Sequence, residues 1–172
     1  VFSMLFGGVV GLISNNGGTK GMANVVIKFA RNRRSGLVST WLLGIFIFFD
    51  DYANTLIVGN LMRPITDRFK VSREKLAFIV DSTSAPVASI VLISTWIGYE
   101  VGLISEGLRL IGSTENAYGV FIDTIPYRFY PIAMIFFVFL VIWMRRDFSL
   151  MYKAEVRALE KGELIQPGSK PV

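Results

Sequence analysis

The stretch that decides the fold runs Phe48-Phe49-Asp50-Asp51-Tyr52-Ala53-Asn54-Thr55 and places two adjacent carboxylates inside an apolar segment. That segment, residues 37–62, opens with thirteen residues that are apolar apart from Ser39 and Thr40. A carboxylate at the centre of a bilayer costs about 2.5–3.5 kcal/mol on insertion scales, and two neighbouring like charges also repel each other. Such a cost persists only where a cation, a proton or a partner charge offsets it. The stretch therefore predicts a polar site inside an apolar region, with a structural salt bridge as the alternative.

The rest of the chain extends this apolar character. Hydrophobic residues make up 52% of the 172 residues, and the charged residues, 18%, are bunched between long apolar runs. Because a membrane span needs roughly 20 mostly apolar residues, the pattern predicts an all-α polytopic membrane protein. Its four apolar segments are residues 1–30, 37–62, 76–104 and 127–144. The net charge of +5 comes from basic residues at segment ends, which is typical of cytoplasmic loops and argues against nucleic-acid binding.

The distribution of basic residues predicts a topology. Residues 1–144 would form a transmembrane transport domain, and residues 145–172 a basic cytoplasmic tail with an interfacial helix to about Lys161. The basic stretches 28–34 and 63–75 also favour the cytoplasmic side of the inner cell membrane, whereas the acidic loop 105–124 would be external. Segment 37–62 then has both ends on one side. A re-entrant hairpin with Asp50–Asn54 at its tip satisfies this condition, and one tilted span with a basic external loop is the alternative.

The residues that the chain lacks narrow the chemistry. The sequence contains no cysteine and no histidine, so it offers no disulfide, thiolate or imidazole site. Any proton chemistry must therefore use carboxylates, and no cofactor is expected.

Two further polar interruptions accompany the aspartate pair. Asp50, Asp51, Asn54 and Thr55 offer the carboxylate, amide and hydroxyl oxygens that a hard cation prefers. In the third segment, Pro86 predicts a broken helix that would expose carbonyls beside Asp81, Ser82 and Thr83, and an ordinary kink with hydroxyls bonded back to the helix is the alternative. Possible additional lining residues are Ser14, Asn15, Asn16, Thr19, Ser84 and Glu100, of which Glu100 could equally be interfacial. Polar breaks in successive apolar segments are typical of transporters built from discontinuous helices.

These residues also resemble a known family. The runs Phe48–Gly59, Met62–Asp67, Ser72–Thr83, Ala85–Ile90 and Ser94–Gly98 are similar to the NhaC family of Na⁺/H⁺ antiporters, over residues 7–153 in all. The resemblance implies a fragment, about a third, of a larger transporter in the ion-transporter superfamily. That architecture implies inverted repeats and re-entrant hairpins with an Asn-Thr tip, here Asn54-Thr55.

The resemblance also implies a function. It predicts a secondary active transporter, not an enzyme, that exchanges Na⁺ for H⁺, with Asp50, Asp51 and Asp81 as the carboxylates that meet Na⁺. Expected partners are the lipid bilayer and the remaining part of the transporter, and a second copy in a homo-oligomer is a further candidate. A Na⁺-coupled organic-anion carrier for malate- or lactate-type substrates is the main alternative. Two enzymes, an Mg²⁺-dependent membrane prenyltransferase and an intramembrane aspartyl protease, are more distant ones because their full motifs are absent.

Overall fold

The described part of the chain is helical. The computed structural model describes residues 28–169 together with Leu12 and Asn16, and within these residues it contains helices and no strand. The helices are α1 (Arg33–Phe46), α2 (Asp51–Arg68), α3 (Arg73–Ile90), α4 (Thr95–Leu110), α5 (Ala117–Thr124), α6 (Phe129–Met144) and α7 (Ser149–Lys161). A 3-10 turn, Ile125–Tyr127, joins α5 to α6. The all-α prediction is confirmed for the described residues.

Five of these helices begin at a side chain that caps them. Each capping residue is extended, and its oxygen accepts a hydrogen bond from a backbone N–H of the first turn, the arrangement that satisfies otherwise unpaired amides. The capping residues of α1 to α5 are, in order, Asn32, Asp50, Ser72, Ser94 and Asn116. Short polar residues within or beside the apolar runs therefore fix where the helices start.

Helices α1 and α2 form an antiparallel hairpin. Gly36, in the first turn of α1, lies against the ring of Phe69, which follows the last residue of α2. At the other end, the side chain of Asn54 reaches the carbonyls of Gly44 and Ile47. Because the start of one helix meets the end of the other, the chain reverses within residues 47–50. The helix–turn–helix geometry agrees with the hairpin expected over 37–62, and its re-entrant insertion into a membrane remains a prediction.

The second discontinuity lies later in the chain than the sequence pattern suggested. Helix α3 continues through residues 81–86 and contains Pro86, so the expected break at that point is wrong. The hydroxyls of Thr83 and Ser84 bond back to carbonyls of their own helix, so their hydrogen-bonding capacity is satisfied without a break. The break comes at residues 91–94, and α3 and α4 are bent by 40° across it.

Helix α3 occupies the centre of the described structure, where it packs against α1, α2 and α6. Two groups of buried side chains carry this packing. The first joins α2 to α3 and comprises Ala30, Val58, Leu61, Met62, Ile65, Leu76 and Val80. The second joins α1, α3 and α6 and comprises Leu37, Val71, Ile79, Val138 and Ile142. The helix that carries Asp81 is thereby fixed between the hairpin and α6.

The segments beyond the second break also differ from expectation. Residues 105–124, expected to be a loop, include the end of α4 and the whole of α5, because Asn116 caps a new helix. The expected tail helix is α7, and its Ala154, Glu155 and Ala158 are buried against the rest of the protein. One face of α7 therefore packs on protein, and an interfacial position of its exposed face stays a prediction.

Length and composition identify few possible membrane crossings within residues 28–169. The stretch Phe129–Lys161, which begins with α6, is long and apolar enough to cross a membrane. The bent pair α3–α4 provides a second crossing if both helices count as one. By this measure the described residues contain one or two spans.

Candidate functional site

The two helix breaks lie against each other, and the aspartate pair lies between them. The backbone N–H of Thr95 donates to the carbonyl of Phe49 (3.0 Å), and its hydroxyl donates to Oδ2 of Asp50 (3.1 Å). The indole N–H of Trp96 donates to Oδ1 of Asp51 (3.1 Å). We call this region, residues 47–51 and 91–96, the paired breaks. It brings together two acidic residues and the first turns of α2 and α4.

The charge of the pair is met by neutral donors. Asp50 is buried, and its Oδ1 accepts from the backbone N–H of Ala53 (2.8 Å) as the cap of α2. Within residues 28–169, the ion pairs that form involve other acids and neither Asp50 nor Asp51. The positive ends of two helix dipoles, a hydroxyl and an indole therefore face the pair. The structural salt bridge considered from the sequence is not formed by the described residues.

Asn54 has an unsatisfied oxygen beside the first break. Its side chain is fully buried (0% exposed), and Nδ2 donates to the carbonyls of Gly44 (2.6 Å) and Ile47 (2.7 Å). Its Oδ1 is buried and has no hydrogen-bond partner in the described structure. A buried acceptor left unpaired costs about 1–3 kcal/mol. Asn54 thus ties the end of α1 to α2 and presents a free amide oxygen.

Helix α3 meets the hairpin through its hydroxyl-bearing residues. Thr83 is fully buried against Gly44, and its hydroxyl donates to the carbonyls of Ile79 (2.8 Å) and Val80 (3.0 Å). Thr55 contacts the Ser84 hydroxyl at 3.5 Å. Thr83 therefore packs the helices together, and Thr55 and Ser84 link the hairpin to α3.

A cavity of about 870 Å³ opens between α2, α3 and the segment after α7. Thr55, Asp81 and Ser82 line one part of it, and Arg63 and Gln166 line others. Asp81 is exposed, and its helix is continuous there, so the cavity gives its carboxylate access to solvent. Three of the predicted site residues, Thr55, Asp81 and Ser82, thus line one cavity, and the sequence offered no sign that residues 165–169 border the same space.

The remaining predicted site residues lie elsewhere. Glu100 pairs with Arg128, whose Nη1 also donates to the carbonyl of Ser89 (2.8 Å), so its carboxylate is engaged away from the paired breaks. Asn16 is exposed, and Ser14, Asn15 and Thr19 lie outside the described residues. No group of three acidic side chains that could hold a metal occurs in the described part of the chain. Asp50, Asp51 and Asp81 therefore do not form one three-acid cluster.

A second charged cluster, which the sequence pattern did not reveal, lies at the basic ends of the helices. Lys75 is 2% exposed, and its Nζ lies 2.6 Å from Oδ1 of Asp147 and 3.7 Å from Oε2 of Glu155. Glu155 also pairs with Arg33 and accepts the backbone N–H of Ser72 (2.8 Å). Burial lowers the pKa of Lys75 below its ordinary 10.5, although the hydrogen bond with Asp147 opposes this shift. Burial likewise lowers the pKa of Arg33.

A known protein family matches part of the chain. A model of the Na⁺/H⁺ antiporter family matches residues 87–167. The chain is similar to Na⁺/H⁺ antiporters over this range. This match supports cation/proton antiport, a membrane location and a transporter rather than an enzyme. It covers the second break and the helices α4 to α7, whereas the antiporter residues expected at Asp50, Asp51 and Asn54 precede it.

A longer relative matches almost the whole chain. An uncharacterized protein of Haemophilus influenzae is 35% identical over 164 residues, which is 95% of this chain and 32% of the relative. The chain thus spans about a third of the length of this curated relative. No solved structure matches significantly.

Proposed function

We propose that this chain is part of a polytopic Na⁺/H⁺ antiporter of NhaC type, with the ion site at the paired breaks. In this proposal Asp50 and Asp51 supply the charge, and the Asn54 amide and Thr55 hydroxyl supply neutral oxygens. Asp81 lines the same cavity as Thr55 and supplies a further carboxylate in this proposal. The other parts of the inverted-repeat transporter would complete the site, with lipid around the whole. The antiporter match over residues 87–167 supports the transport class.

The observation that carries the proposal is the unpartnered Oδ1 of Asn54. It is a buried oxygen with no donor, next to a helix end and one turn from a buried carboxylate. Na⁺ prefers oxygen ligands of the carboxylate, amide and hydroxyl types, and discontinuous helices in transporters present such groups. A bound Na⁺ would satisfy this oxygen and offset the aspartate charge together. If Asn54 only tied the two helices together through Nδ2, its buried Oδ1 would have no function.

Exchange follows from competition for one carboxylate. When Na⁺ binds, it favours the ionised form and displaces a proton, and a proton taken up on the other side of the membrane expels Na⁺. In this cycle the carboxylate carries either Na⁺ or a proton whenever it changes sides, which makes uncoupled leakage unfavourable. In this proposal the helices move relative to each other at the two breaks, and the three hydrogen bonds that Thr95 and Trp96 donate across them would then rearrange. The cavity that Thr55 shares with Arg63 and Arg73 would be the route to the site from the basic side.

Proton movement in everted membrane vesicles tests this function. In vesicles from cells that express the protein, added Na⁺ should dissipate a preformed proton gradient, measured with a fluorescent amine. Asp51→Asn should abolish the response, and Thr55→Val should raise the Na⁺ concentration needed for half of it. Asp123→Asn, which neutralises an exposed acid on α5, is the matched control. A full response from Asp51→Asn contradicts the proposed role.

A second candidate function is Na⁺-coupled transport of an organic anion. Arg63 is exposed and lines the same cavity as Thr55, so a carboxylate substrate could meet a guanidinium and a hydroxyl there. Uptake of radioactive Na⁺ that depends on added malate or lactate, and that Arg63→Gln removes, would favour this candidate. Na⁺ flux that is independent of organic anions favours simple antiport.

The proposed topology puts the basic stretches 28–34 and 63–75 and the tail 145–172 on the cytoplasmic side. The chain has no cysteine, so an introduced cysteine is its only thiol available for labelling. Arg31→Cys and Lys70→Cys place a thiol at exposed positions at either end of the hairpin. Both should react with an impermeant maleimide from the cytoplasmic side. Labelling of the two from opposite sides contradicts the re-entrant hairpin.

A further inference from the structure

We infer that the corner formed by Arg34, Trp143, Arg145 and Arg146 binds the phosphate of an anionic lipid headgroup. This inference rests on the proposed membrane location. The four residues lie at the start of α1 and at the end of α6, away from the paired breaks. We refer to them as the arginine corner.

Arg34 has a free hydrogen-bonding capacity and a fixed orientation. Its guanidinium carbon lies 3.9 Å from the ring centroid of Trp143, within the range of a cation–π contact. Its Nη2 is buried and has no hydrogen-bond partner in the described structure. A guanidinium held in this way presents N–H donors in a planar fork that matches the oxygens of a phosphate.

Two more arginines add unpaired charge to the corner. Arg145 and Arg146 are exposed, and neither forms an ion pair with any described residue. The acid that follows them, Asp147, is engaged by Lys75. Arg33, Arg73 and Arg157, by contrast, are each paired with an acid. The positive charge of Arg145 and Arg146 is therefore available to an anion at the corner.

The surroundings favour a lipid over free phosphate. Trp143 is 58% exposed at the end of α6, the apolar helix with the composition of a membrane span. Phe136 and Phe137 are also exposed on α6, and the ring of Phe137 lies 5.9 Å from that of Phe148. Aromatic residues beside arginines at the end of such a helix are typical of the headgroup level of a bilayer. Acyl chains would cover the aromatic surface while the phosphate meets the arginines.

Thermal unfolding of the purified protein in a neutral detergent tests this site. Short-chain phosphatidylglycerol should raise the unfolding midpoint, and short-chain phosphatidylcholine and inorganic phosphate at equal concentration should not. The double variant R145Q/R146Q should weaken the apparent affinity for phosphatidylglycerol about 25-fold, from about fivefold for each arginine near a membrane surface. Arg34→Gln should weaken it as well. K153Q/K161Q removes two exposed charges from α7 and should leave the affinity unchanged.

Three results would overturn the inference. They are equal stabilisation by phosphatidylcholine, equal stabilisation by inorganic phosphate, and unchanged affinity in R145Q/R146Q. Na⁺-driven proton movement is measured on the same variants in vesicles. Intact exchange without headgroup selectivity rejects the lipid site alone, whereas headgroup selectivity without exchange rejects the antiport function alone.

Discussion

Gly44 of α1 lies so close to Thr83 of α3 that a Cβ on the glycine would be 2.2 Å from the threonine Oγ1 and 2.9 Å from its Cβ. The threonine Cβ is attached directly to the helix backbone, so a change of rotamer cannot remove the second clash. Small residues permit such close helix approach. The contact holds the hairpin against α3 at the level where Asn54 bonds the Gly44 carbonyl.

We therefore expect Gly44→Ala to destabilise the protein by about 1–3 kcal/mol, the usual cost of overpacking. The measurement is the thermal unfolding midpoint in detergent. Gly102→Ala is the matched control, since a Cβ there meets nothing within 4 Å. The control should be neutral or stabilising by up to about 1 kcal/mol because alanine favours helix over glycine. Equal midpoints for Gly44→Ala and the control would contradict the packing account.

Asp50 has two separable roles, as the cap of α2 and as a charge. Asp50→Asn retains a side-chain oxygen for the Ala53 N–H, so it should lower stability little. Asp50→Ala removes the cap and should cost about 1 kcal/mol. Both should eliminate Na⁺-driven proton movement in vesicles, since both remove the charge. If Asp50→Asn still exchanges Na⁺ for protons and only the less stable Asp50→Ala does not, the Asp50 carboxylate serves the fold alone.

The buried cluster around Lys75 should hold α7 on the protein. Lys75→Met leaves Asp147 without its cation and removes one of the partners of Glu155, and breaking a buried pair in this way costs about 3–5 kcal/mol. Hydrogen exchange should therefore quicken in Ser149–Lys161. Lys153→Met, on the exposed face of α7, is the control. Protection of α7 that is unchanged in Lys75→Met would refute the proposed tether.

The same lysine predicts a pH dependence of stability. Burial lowers the pKa of Lys75 below 10.5, so between its folded pKa and 10.5 the unfolded chain binds more protons than the folded protein. Stability contributed by this group must then rise with pH across that window, by at most about 1.4 kcal/mol per pH unit. The test compares the free energy of unfolding of wild type and Lys75→Met from neutral pH to 10.5. The free energy of unfolding of the wild type should increase relative to that of the variant as pH rises. A decrease of the wild type relative to the variant would contradict the predicted sign.

The sequence determined the features that depend on local composition. The apolar runs predicted an all-α chain, and the distribution of basic residues predicted a hairpin with Asp50–Asn54 at its tip. Helices α1 and α2 form that reversal, but it falls at residues 47–50, because Asp50 caps α2 and Asp51–Asn54 lie in its first turn. These features follow from solvation cost and from capping, which act over a few residues. By the same reasoning, Ser94 could have located the second break, because a serine after an apolar run is typical of a helix start.

Only the tertiary structure decided which residues meet across the chain. Pro86 was expected to break α3, but packing against α1, α2 and α6 keeps the helix continuous, and the break falls at residues 91–94. The contacts of Thr95 and Trp96 with the aspartates and the burial of Lys75 are likewise set by helix packing. These contacts join positions 45 and 72 residues apart, beyond the reach of local sequence patterns. The aspartate pair was therefore visible in the sequence, whereas its neutral partners and the free oxygen of Asn54 became visible only in the fold.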